Sequence, residues 1–184
     1  LFRLSFNTRR SGLYLAIGAV YNLFTLIKAP KAPSCGDMHM KIADLGDIRL
    51  HYKDEGPKSG PVVVFANSLG TDLRLWDSVL PHLPKGLRLI RYDKRGHGLS
   101  DCPAAPYSMG TLVRDVESLL DYLAVKDCVF VGLSIGGMIA QGLAVKRLDL
   151  MRAMVLSNTG AKIGTREMWQ DRIEAVKAGG IEAL

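Results

Sequence analysis

Ten residues, Val129-Phe130-Val131-Gly132-Leu133-Ser134-Ile135-Gly136-Gly137-Met138, constrain this chain more than any other stretch. The apolar run from Cys128 to Val131 has the length and β-branched content of a buried strand. Gly132-Leu133-Ser134-Ile135-Gly136 follows at once, and then Met138 to Val145, which lacks proline and reads as helix. A G-x-S-x-G pentapeptide between strand and helix is the pattern of a nucleophile elbow, with Ser134 on a strained turn. Glycines on both flanks leave room for neighbouring backbone where the chain reverses. The turn pushes the hydroxyl out above a sheet and leaves a helix N-terminus beneath it, where developing negative charge is favoured. The bland alternative is a Gly-rich turn with an incidental serine, and the strand and helix on either side argue against it.

A strand of that kind needs neighbours, and the sequence supplies them. Ile48-Arg49-Leu50-His51-Tyr52 alternates apolar and polar, as an antiparallel strand with one exposed face would. Glu55 to Pro61 is a turn cluster, and Val62-Val63-Val64-Phe65-Ala66 is continuously apolar, as expected of a parallel strand covered on both sides. Leu73, Trp76, Val79, Leu80 and Leu83 predict one side of a helix, and Leu87–Tyr92 a further strand. Leu112, Val113, Val116, Leu119, Leu120 and Leu123 have the spacing of an amphipathic helix. Met151–Ser157 reads as the strand after the elbow helix, and Glu167 to Lys177 as another helix. Strands alternating with helices predict a doubly wound α/β sheet.

Length and charge limit the remaining possibilities. The chain has 184 residues, 48% hydrophobic, enough for one domain with a sizeable core. Of the net charge of +6, five positive charges (Arg3, Arg9, Arg10, Lys28, Lys31) lie in residues 1–36 without any acid, leaving +1 for the rest. No basic face for nucleic acid is therefore expected. Cys35, Cys102 and Cys128 are odd in number and lack metal-ligand spacing, which suits reduced thiols in a cytoplasmic protein. Arginines before the apolar run 12–27, followed by Lys28-Ala29-Pro30, give residues 1–37 a signal-like profile. That run is short for a membrane span, and Ala32-Pro33-Ser34-Cys35 is a poor lipidation site. Residues 1–37 are expected to be a leader outside the fold, with the true start at Met38 or Met40. Membrane association through residues 12–27 is the alternative.

Ester cleavage by serine requires a base for the hydroxyl proton, an acid to hold that base, and donors for the oxyanion. One donor is the N–H after the nucleophile, that of Ile135. The second is expected from the loop after Val62–Ala66 and is assigned to Leu69, with Asn67 and Ser68 supporting that loop. No metal ligand set or cofactor motif is apparent.

From about Met40 onward the chain resembles the α/β-hydrolases, and within them the 3-oxoadipate enol-lactonases. The resemblance rests on Phe65-Ala66-Asn67-Ser68-Leu69-Gly70-Thr71-Asp72, Arg91-Tyr92-Asp93-Lys94-Arg95-Gly96-His97-Gly98 and Gly132 to Gly142. A further match, Thr165-Arg166-Glu167-Met168-Trp169-Gln170-Asp171-Arg172, would begin the cap over the active site. The resemblance implies an α/β-hydrolase fold spanning residues 38–184, with the cap beginning near 163 and the chain stopping within it, after the sixth strand. It implies opening of a carboxylate-bearing enol-lactone to 3-oxoadipate in aromatic-compound catabolism, with no cofactor and a small-molecule partner. Other esterases, lactonases and perhydrolases on this scaffold, or a non-catalytic binding protein, are the competing readings.

In this fold the triad runs in the order serine, acid, histidine. Here His39, His51, His82 and His97 all precede Ser134. His97, flanked by glycines, is expected to be structural. Asp149, Glu167, Asp171, Glu174 and Glu182 follow the serine but read as solvated helix charges. The chain is accordingly expected to be a fragment without the triad acid and histidine, and inactive as such.

Overall fold

The computed structural model describes residues 15–16, 40–180 and 182. Seven strands form one sheet: β1 (Leu15–Ala16), β2 (Lys41–Asp44), β3 (Arg49–Glu55), β4 (Val62–Ala66), β5 (Arg88–Tyr92), β6 (Cys128–Leu133) and β7 (Met151–Ser157). Their order is β1-β7-β6-β4-β5-β3-β2. The pairs β4–β5, β4–β6, β6–β7 and β1–β7 are parallel, and β2–β3 and β3–β5 antiparallel. Leu15 and Ala16 lie beside Met154 and Val155. The expected leader otherwise falls outside the described residues.

Pleating explains how β4 organises the core, because successive side chains point to opposite faces. Val62, Val64 and Ala66 join the cluster containing Val116, Leu120, Ile139 and Leu143 from α1 (Met109–Tyr122) and α2 (Ile135–Lys146). Val63 and Phe65 face the other way, onto Trp76, Val79, Leu80 and Leu83, with the Phe65 and Trp76 rings 5.1 Å apart. All five residues of β4 are buried, as a continuously apolar strand requires. Ser108 caps α1 by accepting from the Thr111 N–H.

Two local expectations differ from the structure. The stretch 73–83 forms two 3₁₀ turns, Leu73–Trp76 and Leu80–His82, in place of one helix. Its apolar spacing is helical, but a proline at position 81 lacks the N–H that a continuous helix would need there. The strand near 48–52 runs Arg49–Glu55 and has no open face at its centre, since His51 and Asp54 are both buried. Each has a polar partner: His51 Nδ1 lies 2.8 Å from Asp93, and the Arg88 guanidinium donates to Asp54 at 2.9 and 2.8 Å. The last helix, α3 (Arg166–Gly179), buries none of its residues.

Candidate active site

The chain passes from β4 to β5 on one side and places β6 on the other, so the sheet has a switch point at the carboxyl ends of β4 and β6. Ala66, the last residue of β4, pairs with Gly132 of β6. The two segments carrying the expected chemistry therefore leave the sheet side by side.

On the β6 side, Ser134 has φ 55° and ψ −118°, in the left-handed half of backbone space that glycine usually occupies. Its N–H donates to the Ser157 carbonyl at 2.9 Å. Its own carbonyl accepts from Gly137 N–H at 2.9 Å and from Thr159 Oγ1 at 2.7 Å. Glycine is needed at 136 because a Cβ there would overlap the Ala66 carbonyl oxygen, and at 132 because it would overlap the Gly136 carbonyl. That contact brings the head of α2 against the end of β4. Ile135 is the first residue of α2, so its N–H has no carbonyl four residues back within the helix.

On the β4 side, the loop from Asn67 to Thr71 is held by side chains. Asn67 is fully buried, and its amide nitrogen donates to the Thr71 carbonyl and, at 3.3 Å, to Thr71 Oγ1. Thr71 Oγ1 in turn donates to the Ser68 carbonyl at 2.9 Å. Lys94 Nζ donates to both the Asn67 and Ser68 carbonyls, each at 3.0 Å. Gly70 N–H donates to His97 Nε2 at 3.1 Å, while His97 Nδ1 donates to the Arg95 carbonyl at 3.0 Å. Burial holds the His97 imidazole below its usual pKa, consistent with a neutral ring that accepts at Nε2. Leu69, between these anchors, is half exposed.

Asp93 supports the second set of anchors. Its carboxylate accepts from Leu73 N–H at 2.7 Å and Leu99 N–H at 3.0 Å, besides His51. Arg95 forms a buried two-pronged pair with Asp115 of α1, both contacts at 2.6 Å. Residues 93–97 are thus a rigid brace beneath the loop.

The structure places Ser134, Ile135, Asn67, Ser68 and Leu69 in two adjoining segments at one end of the sheet. It places no described histidine in hydrogen-bond contact with Ser134: His51 and His97 are engaged as above, and His82 is exposed on a 3₁₀ turn. Asp149 pairs with Arg147 at 2.9 Å and Glu174 with Lys177 at 3.3 Å, as surface charges do. Lys94 and Thr159 were not anticipated. In the sequence Lys94 stands two residues after the strand that ends at Tyr92, inside the Arg91–Gly98 motif, with nothing to mark it as a partner of the loop. Among the described residues, no group of three or more His, Cys, Asp or Glu could hold a metal ion, and no helix is long and apolar enough to cross a membrane.

A mostly parallel sheet with a strained serine between strand and helix, at its switch point, defines an α/β hydrolase scaffold. Residues 61–178 match the family described as alpha/beta hydrolase fold, and the chain belongs to that family. It is 37% identical over 138 residues to 3-oxoadipate enol-lactonase 2 of Acinetobacter baylyi, an alignment covering 75% of this chain and 52% of that protein. It is 39% identical over 89 residues to a non-heme chloroperoxidase of Streptomyces lividans, covering 48% of this chain and 32% of that one. The crystal structure of the enol-lactonase from Burkholderia xenovorans LB400 superposes with a TM-score of 0.74 at 38% identity, over 78% of this chain and 56% of that chain. The chain spans about half the length of the enol-lactonase relatives it matches.

Proposed function

We propose that this protein is a serine hydrolase that opens 3-oxoadipate enol-lactone to 3-oxoadipate. The observation that carries the reading is the strained Ser134, on the elbow between β6 and α2, beside a braced loop at the end of β4. The likeness to enol-lactonases, at 37% and 38% identity, supports the choice of substrate.

In this reading Ser134 Oγ attacks the ring carbonyl carbon, and the carbonyl oxygen takes up the negative charge. Ile135 and Leu69 N–H donate to that oxygen. The ring C–O bond then breaks, the enol leaves and tautomerises to the ketone, and water releases the acyl group from Ser134. No metal or organic cofactor takes part, and the partner is the carboxylate-bearing lactone. A cytoplasmic location in aromatic-compound catabolism fits that substrate.

None of the described histidines hydrogen-bonds Ser134, and we propose that residues 1–184 by themselves retain only what binding and oxyanion stabilisation give, roughly 10³–10⁴ over water. The test is loss of lactone absorbance with protein from the complete reading frame, beside Ser134→Ala. Lactone hydrolysis abolished by the substitution supports the reading, and an inert wild type refutes it. Hydrolysis of simple esters but not of the lactone would favour a general esterase, the reading to which the 39% likeness to a chloroperoxidase lends weight.

A further inference from the structure

Lys94 is only 2% exposed, and its ammonium donates to two main-chain carbonyls, Asn67 O and Ser68 O. We propose that Lys94 is a positioning residue of the oxyanion site, holding the Ser68–Leu69 peptide so that its N–H faces the oxyanion; this rests on the serine-hydrolase reading above. The peptide unit is planar and trans, so the Ser68 carbonyl and the Leu69 N–H point in opposite directions. Fixing one at 3.0 Å from the ammonium fixes the other.

Charge adds to this. An ammonium at the carbonyl end of a peptide polarises it, which makes the N–H at the other end a stronger donor. A purely structural brace has no need of an ion here, because a neutral donor would satisfy two carbonyls without burying a charge. Thr71 Oγ1 already donates to the same Ser68 oxygen. Among the described residues no carboxylate hydrogen-bonds the ammonium: Asp93, the neighbouring acid, is occupied by His51, Leu73 N–H and Leu99 N–H.

Burial lowers the Lys94 pKa to about 8, against a partial opposing effect of Asp93. The ammonium is therefore present at pH 7 and lost as pH rises through about 8. The other groups around it do not titrate there in the same sense. Burial, with a smaller contribution from Lys94, lowers the His97 pKa and so moves its titration away from pH 8, and Arg95 stays charged against Asp115.

Two measurements on protein from the complete reading frame decide the matter. The first is the pH dependence of the Leu69 amide resonance between pH 6.5 and 9.5, which needs no turnover. A midpoint near 8 that vanishes in Lys94→Met is expected. A flat Leu69 amide in the wild type overturns the proposal, whatever the variant does. The second is hydrolysis of p-nitrophenyl acetate. Lys94→Met should lower kcat about tenfold at pH 7 with KM little changed, less than the 10²–10³ for outright loss of a donor. Wild-type kcat should fall toward the variant's value above pH 8. Lys94→Gln, which keeps a donor without the charge, should resemble Lys94→Met and serves if the latter fails to fold. Unchanged kcat at pH 7 in a folded variant overturns the proposal. A wild type that cleaves no ester overturns the hydrolase reading, while the amide titration still decides whether Lys94 governs the loop.

Discussion

Around Ser134 the chain is fixed by backbone packed on backbone, whereas around Leu69 it is fixed by side chains reaching in from residues 71, 94 and 97. The first arrangement depends on missing volume: glycines at 132 and 136 let three stretches of main chain meet. The second depends on polar groups satisfying one another, with only Asn67 Oδ1 left buried and unpartnered among the loop's side chains. A nucleophile on a strained turn must be clamped hard, since the strain would otherwise relax. A donor loop needs only its peptide planes aimed correctly. Damage to the first should therefore unfold the protein, and damage to the second should slow it.

The largest effect should come from Gly136→Ala. Its Cβ would meet the Ala66 carbonyl, which cannot move without separating β4 from β6. A loss of about 3 kcal/mol or more is expected by urea unfolding. The matching change in the loop, Gly70→Ala, meets nothing within 4 Å and carries only the penalty of φ +72°, about 1 kcal/mol. Similar losses at both sites would break the contrast.

Asn67→Ala comes next. It removes the donor to Thr71 and frees the loop, so kcat for the lactone should fall by about 1–2 kcal/mol of transition-state stabilisation with KM nearly unchanged. An unaltered kcat in a folded variant would mean that the loop does not aim a donor. Smaller again, and opposite in sign, is Ser134→Gly. It should raise stability by about 1 kcal/mol, because glycine adopts φ 55° without strain, while abolishing turnover. Thermal melting of the two proteins side by side checks it.

The smallest effect is the pH dependence set by His97. Its folded pKa lies below the ordinary 6.5, so the unfolded chain binds the proton more readily. Stability should decline as pH falls below 6.5, because the unfolded chain takes up a proton that the native ring, accepting from Gly70 N–H at Nε2, resists. His97→Gln should flatten that part of the curve in denaturation measured from pH 7 to 5.

These two regions also differed in how legible they were. The elbow is written in consecutive residues, so its strand, turn and helix, and Met151–Ser157 as the next strand, are legible from the sequence alone. Asn67, Ser68 and Leu69 were placed in the loop by their position after an apolar strand. The brace was not, because Lys94 reaches the loop only through the pairing of β4 with β5, which brings together residues 27 apart. Buried polar groups misled in the same way. The alternation at 48–52 puts Arg49 and His51 on the expected open face, but His51 is buried because Asp93, 42 residues away, supplies its partner. At 73–83 the apolar spacing is that of a helix, but Pro81 limits the stretch to two 3₁₀ turns.

The sheet order has a consequence for synthesis. Val63 lies between Leu89 and Val129, one neighbour 26 residues downstream and the other 66. On a ribosome adding about 5–20 residues per second, Val129 follows Val63 by roughly 3–13 s. For that interval one edge of an entirely apolar strand is unpaired and open to other chains. Only then can the turn bearing Ser134 close over it. In the life of each molecule, the half of the site that Lys94 braces is older than the half that carries the nucleophile.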